Sequence, residues 1–204
     1  MMAKIALVGA SGNIGGRVLD EALSRGHSVV GIVRNTGKLE SRPGLTIARG
    51  DVNDSKLTAE LVRGADVLVV SLRWSDNAAQ VIETARSAAV PRLLVVVGAG
   101  SLEASPGVRV LDTPEFPAAW RPGAEGAARA LQTFRAEQGV DWVAFSPSWN
   151  IGPGERTGKF RVGGDQLLRD AQGESRISRE DFAVAIVDEI EKPAHHRQRV
   201  TVGY

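Results

Sequence analysis

The feature that most constrains this chain is a glycine-rich turn wedged between a short apolar run and a segment of helical periodicity. Ile5 to Val8 lead directly into Gly9-Ala10-Ser11-Gly12-Asn13-Ile14-Gly15-Gly16. Ile14, Val18 and Ala22 then recur at four-residue spacing, with Leu19 and Leu23 beside them. Lys4 to Val8 therefore reads as a strand, and Asn13 to Arg25 as a helix stopped by Gly26. The glycines follow a G-x-x-G-x-x-G spacing. Gly9 permits a tight turn, Gly12 lets main chain without a Cβ approach a ligand, and Gly15 lets the helix pack closely on the strand. The unpaired N–H groups of the first helical turn make that place suited to an anion.

The alternation continues along the chain. Apolar runs of strand length at Val29 to Val33, Leu45 to Ala48, Val67 to Val70, Leu93 to Val97 and Trp142 to Phe145 are joined by a late one, Val200 to Val202. Between them, Ser75 to Ala88 and Gly123 to Glu137 carry apolar residues on one helical face. A further helix starts near Ser55 with Asp54 placed to cap it, and a last one has Ser178 and Asp181 as a capping pair before Phe182, Ile186 and Ile190. This pattern predicts one doubly wound α/β domain over residues 1–204, its mostly parallel sheet buried on both faces. Gly98 to Pro122 and Ser146 to Ile177 break the alternation and are rich in Gly, Pro and Ser. Both leave from carboxyl ends of strands, where ligands bind in such sheets, so they are expected to be two pocket loops.

The 25 basic and 24 acidic residues are interspersed, which leaves no broad positive field for nucleic acid. No cysteine is present, so disulfides and thiolate chemistry are excluded, and any redox chemistry must come from a cofactor. The apolar run at the N-terminus is too short for a signal-peptide core or a membrane span, which makes the cytoplasm the expected location and leaves no membrane partner. His195-His196 lacks convergent ligands and reads as a solvated turn, with no metal expected. No G-x-S-x-G elbow or Ser-His-Asp set is evident.

A glycine triplet that follows a strand, opens a helix and precedes a second strand points to a dinucleotide pyrophosphate, held by Gly9, Ser11, Gly12, Asn13, Ile14 and Gly15. At the end of the second strand, where an NAD-selective site carries an acid, this chain has Val33-Arg34-Asn35. Arg34 would clamp a 2′-phosphate, favouring NADP(H) over NAD(H), or it is a solvated surface arginine. Asp51 would accept from the adenine amino group beneath Val52, or cap the following helix, a role for which Asp54 is better placed. Ser71, Leu72 and Gly98 to Ser101 follow strands and are placed to line the cofactor.

Ala6 to Gly15, Val33-Arg34-Asn35, Gly50-Asp51-Val52, Val97 to Leu102, Phe116-Pro117, Ser146-Pro147 and Ile177 to Ala183 together resemble the atypical short-chain dehydrogenases/reductases. More specifically they resemble the compact NAD(P)H-flavin reductase-like group related to biliverdin-IXβ reductase. The resemblance implies a strand order of 3-2-1-4-5-6-7 and a nicotinamide contact from Pro147. The general family's Tyr-x-x-x-Lys pair is missing: Trp120-Arg121-Pro122-Gly123-Ala124 stand where it belongs, and the only tyrosine is Tyr204. Alcohol–ketone interconversion and sugar-nucleotide epimerisation are therefore disfavoured.

What survives is hydride delivery to a planar acceptor, a flavin, quinone or conjugated tetrapyrrole, with flavin as substrate rather than resident group. Ser101 is the candidate catalytic donor to the substrate, or it bonds its own backbone. Trp120 and Trp149 either stack on the acceptor or pack beneath their own loops. Trp142 is expected in the core, and Trp74 at the pocket entrance or on the surface. A non-catalytic NADP(H)-sensing regulator is the competing reading, and a fold stabilised by its cofactor a third. A homodimer is left open.

Overall fold

Seven parallel strands form the frame: β1 (Lys4–Val8), β2 (Ser28–Val33), β3 (Leu45–Arg49), β4 (Val67–Val70), β5 (Arg92–Val96), β6 (Trp142–Pro147) and β7 (Gln198–Gly203). The computed structural model describes residues 2–204. In space the strands run 3-2-1-4-5-6-7, and one further strand, Arg161–Gly163, pairs antiparallel with β7 at the edge. The helices are α1 (Gly15–Ser24), α2 (Ser55–Val62), α3 (Ala78–Ser87), α4 (Arg121–Ala136) and α5 (Arg179–Glu191).

Residues of one strand alternate between two cores. Ala6, Val8, Leu68, Val70, Leu93 and Val95 face α2, α3 and α4 with Val62, Ile82, Leu131 and Phe134. Ile5, Leu7, Val67, Val69, Leu94 and Val96 face α1 and α5 with Leu19, Phe182 and Ile186. Each Val, Leu, Ile or Phe side chain so withdrawn from water stabilises the fold by about 1.5–3 kcal/mol, which is why the strands read as unbroken apolar runs.

Trp142 is in the core as expected, 2% exposed. Trp74 departs from expectation: it is buried, its Nε1 donates to the Val96 carbonyl at 2.6 Å, and its ring meets Phe134 edge-on at 5.4 Å. The turn after β4 folds back over the α4 face, so this indole fills core rather than a pocket mouth.

The two expected loops also hold more order than their composition suggested. Gly98 to Pro122 contains a small hairpin, Glu103–Ser105 with Val108–Arg109. Helix α4 starts at Arg121 rather than Gly123, with Pro122 in the first turn, where a missing N–H costs nothing. In the second loop, Asn150–Gly152 pairs in parallel with Arg176–Ser178. These short ladders satisfy main-chain groups that a bare loop would leave unpaired.

Candidate functional site

The glycine turn leaves no room for side chains at two of its three key positions. Gly9 has φ +84°, and a Cβ on it would lie 2.0 Å from the Ser71 carbonyl oxygen at the end of β4. A Cβ on Gly15 would lie 2.1 Å from the Gly9 oxygen, so this glycine seats α1 on the turn itself rather than on the strand. Gly12 is different: its Cβ would meet only the Gly9 oxygen, at 3.2 Å, and the residue is exposed. Helix α1 has no side-chain cap, and among the described residues nothing accepts from the amides of Ser11, Asn13, Ile14 or Gly15. Such a bare helix start suits a bound anion.

A cleft of about 460 Å³ opens beyond the carboxyl ends of β1 to β4. It brings together Gly9, Ser11, Gly12, Arg34, Asp51, Val52, Ser71 and Leu72, all anticipated from the sequence. Asp54 caps α2, its Oδ1 accepting from the Leu57 amide at 3.0 Å. Asp51 Oδ1 accepts from the Asn53 amide at 3.0 Å. Its Oδ2 has no partner among the described residues. Arg34 makes no ion pair among these residues, and neither does Lys38, which lines the same cleft. Lys38 ends a 3₁₀ turn, Thr36–Lys38, capped by Asn35. Sequence reasoning missed it, although a basic residue four positions after Arg34 was the available signal. Asn77 was missed too; it lines the cleft, is buried, and its Oδ1 has no hydrogen-bond partner.

Other anticipated residues lie outside this cleft. Asn13 is exposed on the turn, Ile14 packs against the α1–α5 core, and Gly15 is buried under the turn. Gly98 and Pro147 sit at the carboxyl ends of β5 and β6, where Ser146 Oγ donates to the Gly98 carbonyl at 3.3 Å.

A larger cavity, about 920 Å³, lies beyond β6 and β7, and Trp120, Trp149, Lys159, Arg176, Ser178 and Tyr204 are in its wall. Trp120 is 60% exposed, while Trp149 meets Phe116 edge-on at 5.5 Å. Tyr204, set aside at the sequence level, donates its hydroxyl to Asp181 Oδ2 at 2.9 Å and accepts from the Ser178 amide at 3.2 Å. Asp181 is fully buried and also binds the loop over the cavity, through Thr157 Oγ1 at 2.6 Å and the Gly158 amide at 2.8 Å. Ser178 caps α5 as expected, its Oγ accepting from the Asp181 amide at 2.9 Å.

Ser101 is not brought to either space. A 3₁₀ turn, Ala99–Ser101, carries it toward α4, where its Oγ accepts from Arg199 Nη1 at 2.9 Å. Arg199 is itself buried and paired with Asp165, and burial lowers its pKa. The histidine pair lies in the irregular stretch before β7, His196 exposed and His195 half-buried, and each ring meets a carboxylate: His195 Nδ1 lies 2.7 Å from Glu189 Oε2, and His196 Nδ1 lies 2.9 Å from Asp141 Oδ2. Among the described residues no group of three or more His, Cys, Asp or Glu is arranged to hold a metal.

The strand order, the glycine turn and the bare helix start define a Rossmann-type dinucleotide-binding fold. The chain belongs to the NAD(P)H-binding family, which it matches over residues 9–193. A Burkholderia pseudomallei structure provisionally named an exported protein is 40% identical, covers all of both chains and superposes with a TM-score of 0.90. A Bacteroides thetaiotaomicron structure provisionally named an epimerase is 37% identical, over 100% of this chain and 98% of that one, with a TM-score of 0.95. A Streptococcus pneumoniae structure provisionally named an NADH-flavin reductase is 29% identical, over 98% and 99%, with a TM-score of 0.86. Among the described residues no helix is long and apolar enough to cross a membrane.

Proposed function

We propose that this protein is an NAD(P)H-dependent reductase that prefers NADPH and reduces a planar acceptor, a flavin or quinone, as substrate. The observation that carries the reading is one sheet edge bearing both a cleft lined by the glycine turn and the ends of β1 to β4 and a cavity with two tryptophans in its wall. The free amides of Ser11, Asn13, Ile14 and Gly15 receive the pyrophosphate over Gly12. Arg34 and Lys38, both without counterions among the described residues, receive the 2′-phosphate. Asp51 Oδ2 accepts from the adenine amino group, with Val52 beside the ring. Gly98 and Pro147 border the nicotinamide end, and Trp120 and Trp149 bracket the acceptor. When bound, the reduced nicotinamide supplies a hydride; the chain's own part is to bind, orient and shield.

Likeness to the provisionally named flavin reductase supports this reading. Likeness to the provisionally named epimerase does not displace it, because the chain lacks Tyr-x-x-x-Lys and its one phenol is engaged by Asp181. A cytoplasmic location belongs to the same reading, and cell fractionation tests it against the export that the Burkholderia name suggests. The test of function is protein-dependent NADPH oxidation on addition of FMN or a small quinone. Tight NADPH binding with no oxidation by either class would instead make the protein a sensor of the cofactor.

A further inference from the structure

We infer that the cavity beyond β6 and β7 selects an acceptor whose planar ring carries an anionic tail, and that Lys159 is the residue that selects it. The inference rests on the proposed reductase reading for calling the ligand an acceptor. Its basis lies in the side chains that the cavity gathers. Trp120 and Trp149 are in its wall with the cations Lys159 and Arg176 and the anion Glu155; Arg176 pairs with Asp170 and the buried Asp181 lies behind the loop, which leaves Lys159 as the wall's cation without a counterion among the described residues. Arg176 reaches Asp170 only at 3.4 Å, and its guanidinium lies 5.5 Å from the centre of the Tyr204 ring, on the cavity wall.

Lys159 is held in place rather than left on a loose loop. Its amide donates to Thr157 Oγ1 at 3.1 Å, and that hydroxyl in turn donates to the buried Asp181 at 2.6 Å. Gly158, next to it, donates its amide to the other oxygen of the same carboxylate. One buried carboxylate therefore fixes the backbone that presents the lysine, which lowers the entropy cost of holding an anion there. A neutral ring satisfies the indoles and leaves the cations unused, whereas a ring with a phosphate or carboxylate uses both parts of the wall. In turnover the ring gains a hydride from the reduced nicotinamide and a proton from water, the nicotinamide is oxidised, and the anionic tail is unchanged.

FMN and riboflavin share one ring and differ by a phosphate, so they isolate the tail. Their dissociation constants are measured by flavin fluorescence quenching with NADP⁺ present, for the wild type, Lys159→Met, Lys159→Arg and a remote exposed control, Lys56→Met. The expected result is at least about tenfold tighter binding of FMN in the wild type. That preference falls to about threefold or less in Lys159→Met, and is kept by Lys159→Arg and Lys56→Met. Equal binding of the two flavins by the wild type overturns the inference, as does a preference untouched by Lys159→Met. NADPH oxidation measured alongside separates the claims: oxidation without FMN preference removes only this inference, and FMN preference without oxidation removes only the reductase reading.

Discussion

Arg156 grips Glu21 with two hydrogen bonds, its Nε and Nη2 each 2.7 Å from a different carboxylate oxygen, across 135 positions of sequence. Glu21 lies in α1, which starts at the glycine turn of the candidate dinucleotide cleft, and Arg156 lies in the loop beside the proposed acceptor cavity. The Glu180 side chain ties the same two regions, accepting from Arg17 of α1 and from the Gly154 amide. The two halves of the site are thus braced against each other from behind.

The Arg156 guanidinium holds the Glu21 carboxyl below its ordinary value of 4.5; burial opposes this and Arg25 assists it. A folded-state value below the unfolded one means that the pair's stabilisation is complete above about pH 4.5 and is lost as pH falls through the lowered value. Glu21→Gln is expected to cost about 1–2 kcal/mol at neutral pH, allowing for the exposure of Arg156. The gap in melting temperature between variant and wild type should close on acidification. A gap that is the same at neutral and acidic pH would show that the charge is irrelevant.

The glycine turn separates folding from binding. Gly9→Ala and Gly15→Ala place a methyl about 2 Å from main-chain oxygen, so both should lose several kcal/mol of stability or fail to fold. Gly12→Ala meets only a 3.2 Å contact. Its melting temperature should stay near the wild type while nucleotide affinity drops, because the methyl projects where the pyrophosphate must lie. Calorimetry with and without NADPH checks all three.

Two tryptophans make a second contrast. Trp74→Ala removes a buried indole and should cost about 3–5 kcal/mol. Trp120→Ala removes a mostly exposed one and should change stability by less than about 1 kcal/mol while raising the KM for the acceptor. A stable Trp120→Ala protein with an unchanged acceptor KM would take Trp120 out of the site.

Much of the fold was legible because the sheet is buried on both faces: runs such as Val67 to Val70 have no other use. The cofactor cleft was legible for a related reason. Gly9, Arg34 and Ser71 each follow a strand directly, Asp51 comes one residue later, and a strand end has a fixed place in the sheet. What lies farther from a strand was not readable. Ser101 is only a few residues past β5, yet one 3₁₀ turn sends it to Arg199. Tyr204 and Lys159 meet in one cavity through Asp181, a residue whose capping position hid its second role. Lys38 left only its spacing from Arg34 as a signal, because the short turn that Asn35 caps sets where it lies.

In the proposed reading, Arg34 carries the preference for NADPH. Arg34→Asp should weaken NADPH by about tenfold to a hundredfold, since it removes a charge-assisted hydrogen bond and adds repulsion, and should weaken NADH far less. Lys38→Ala should act in the same direction by a smaller factor. Equal losses of both nucleotides in Arg34→Asp would remove the argument for NADPH.

The most direct test of the account is titration of the purified protein with NADPH and with NADH, followed by reduced-nicotinamide fluorescence. The account predicts saturable binding of both, with NADPH the tighter. Binding of neither nucleotide would contradict it, since the glycine turn, the bare α1 start and the paired cations of the cleft would then have no ligand.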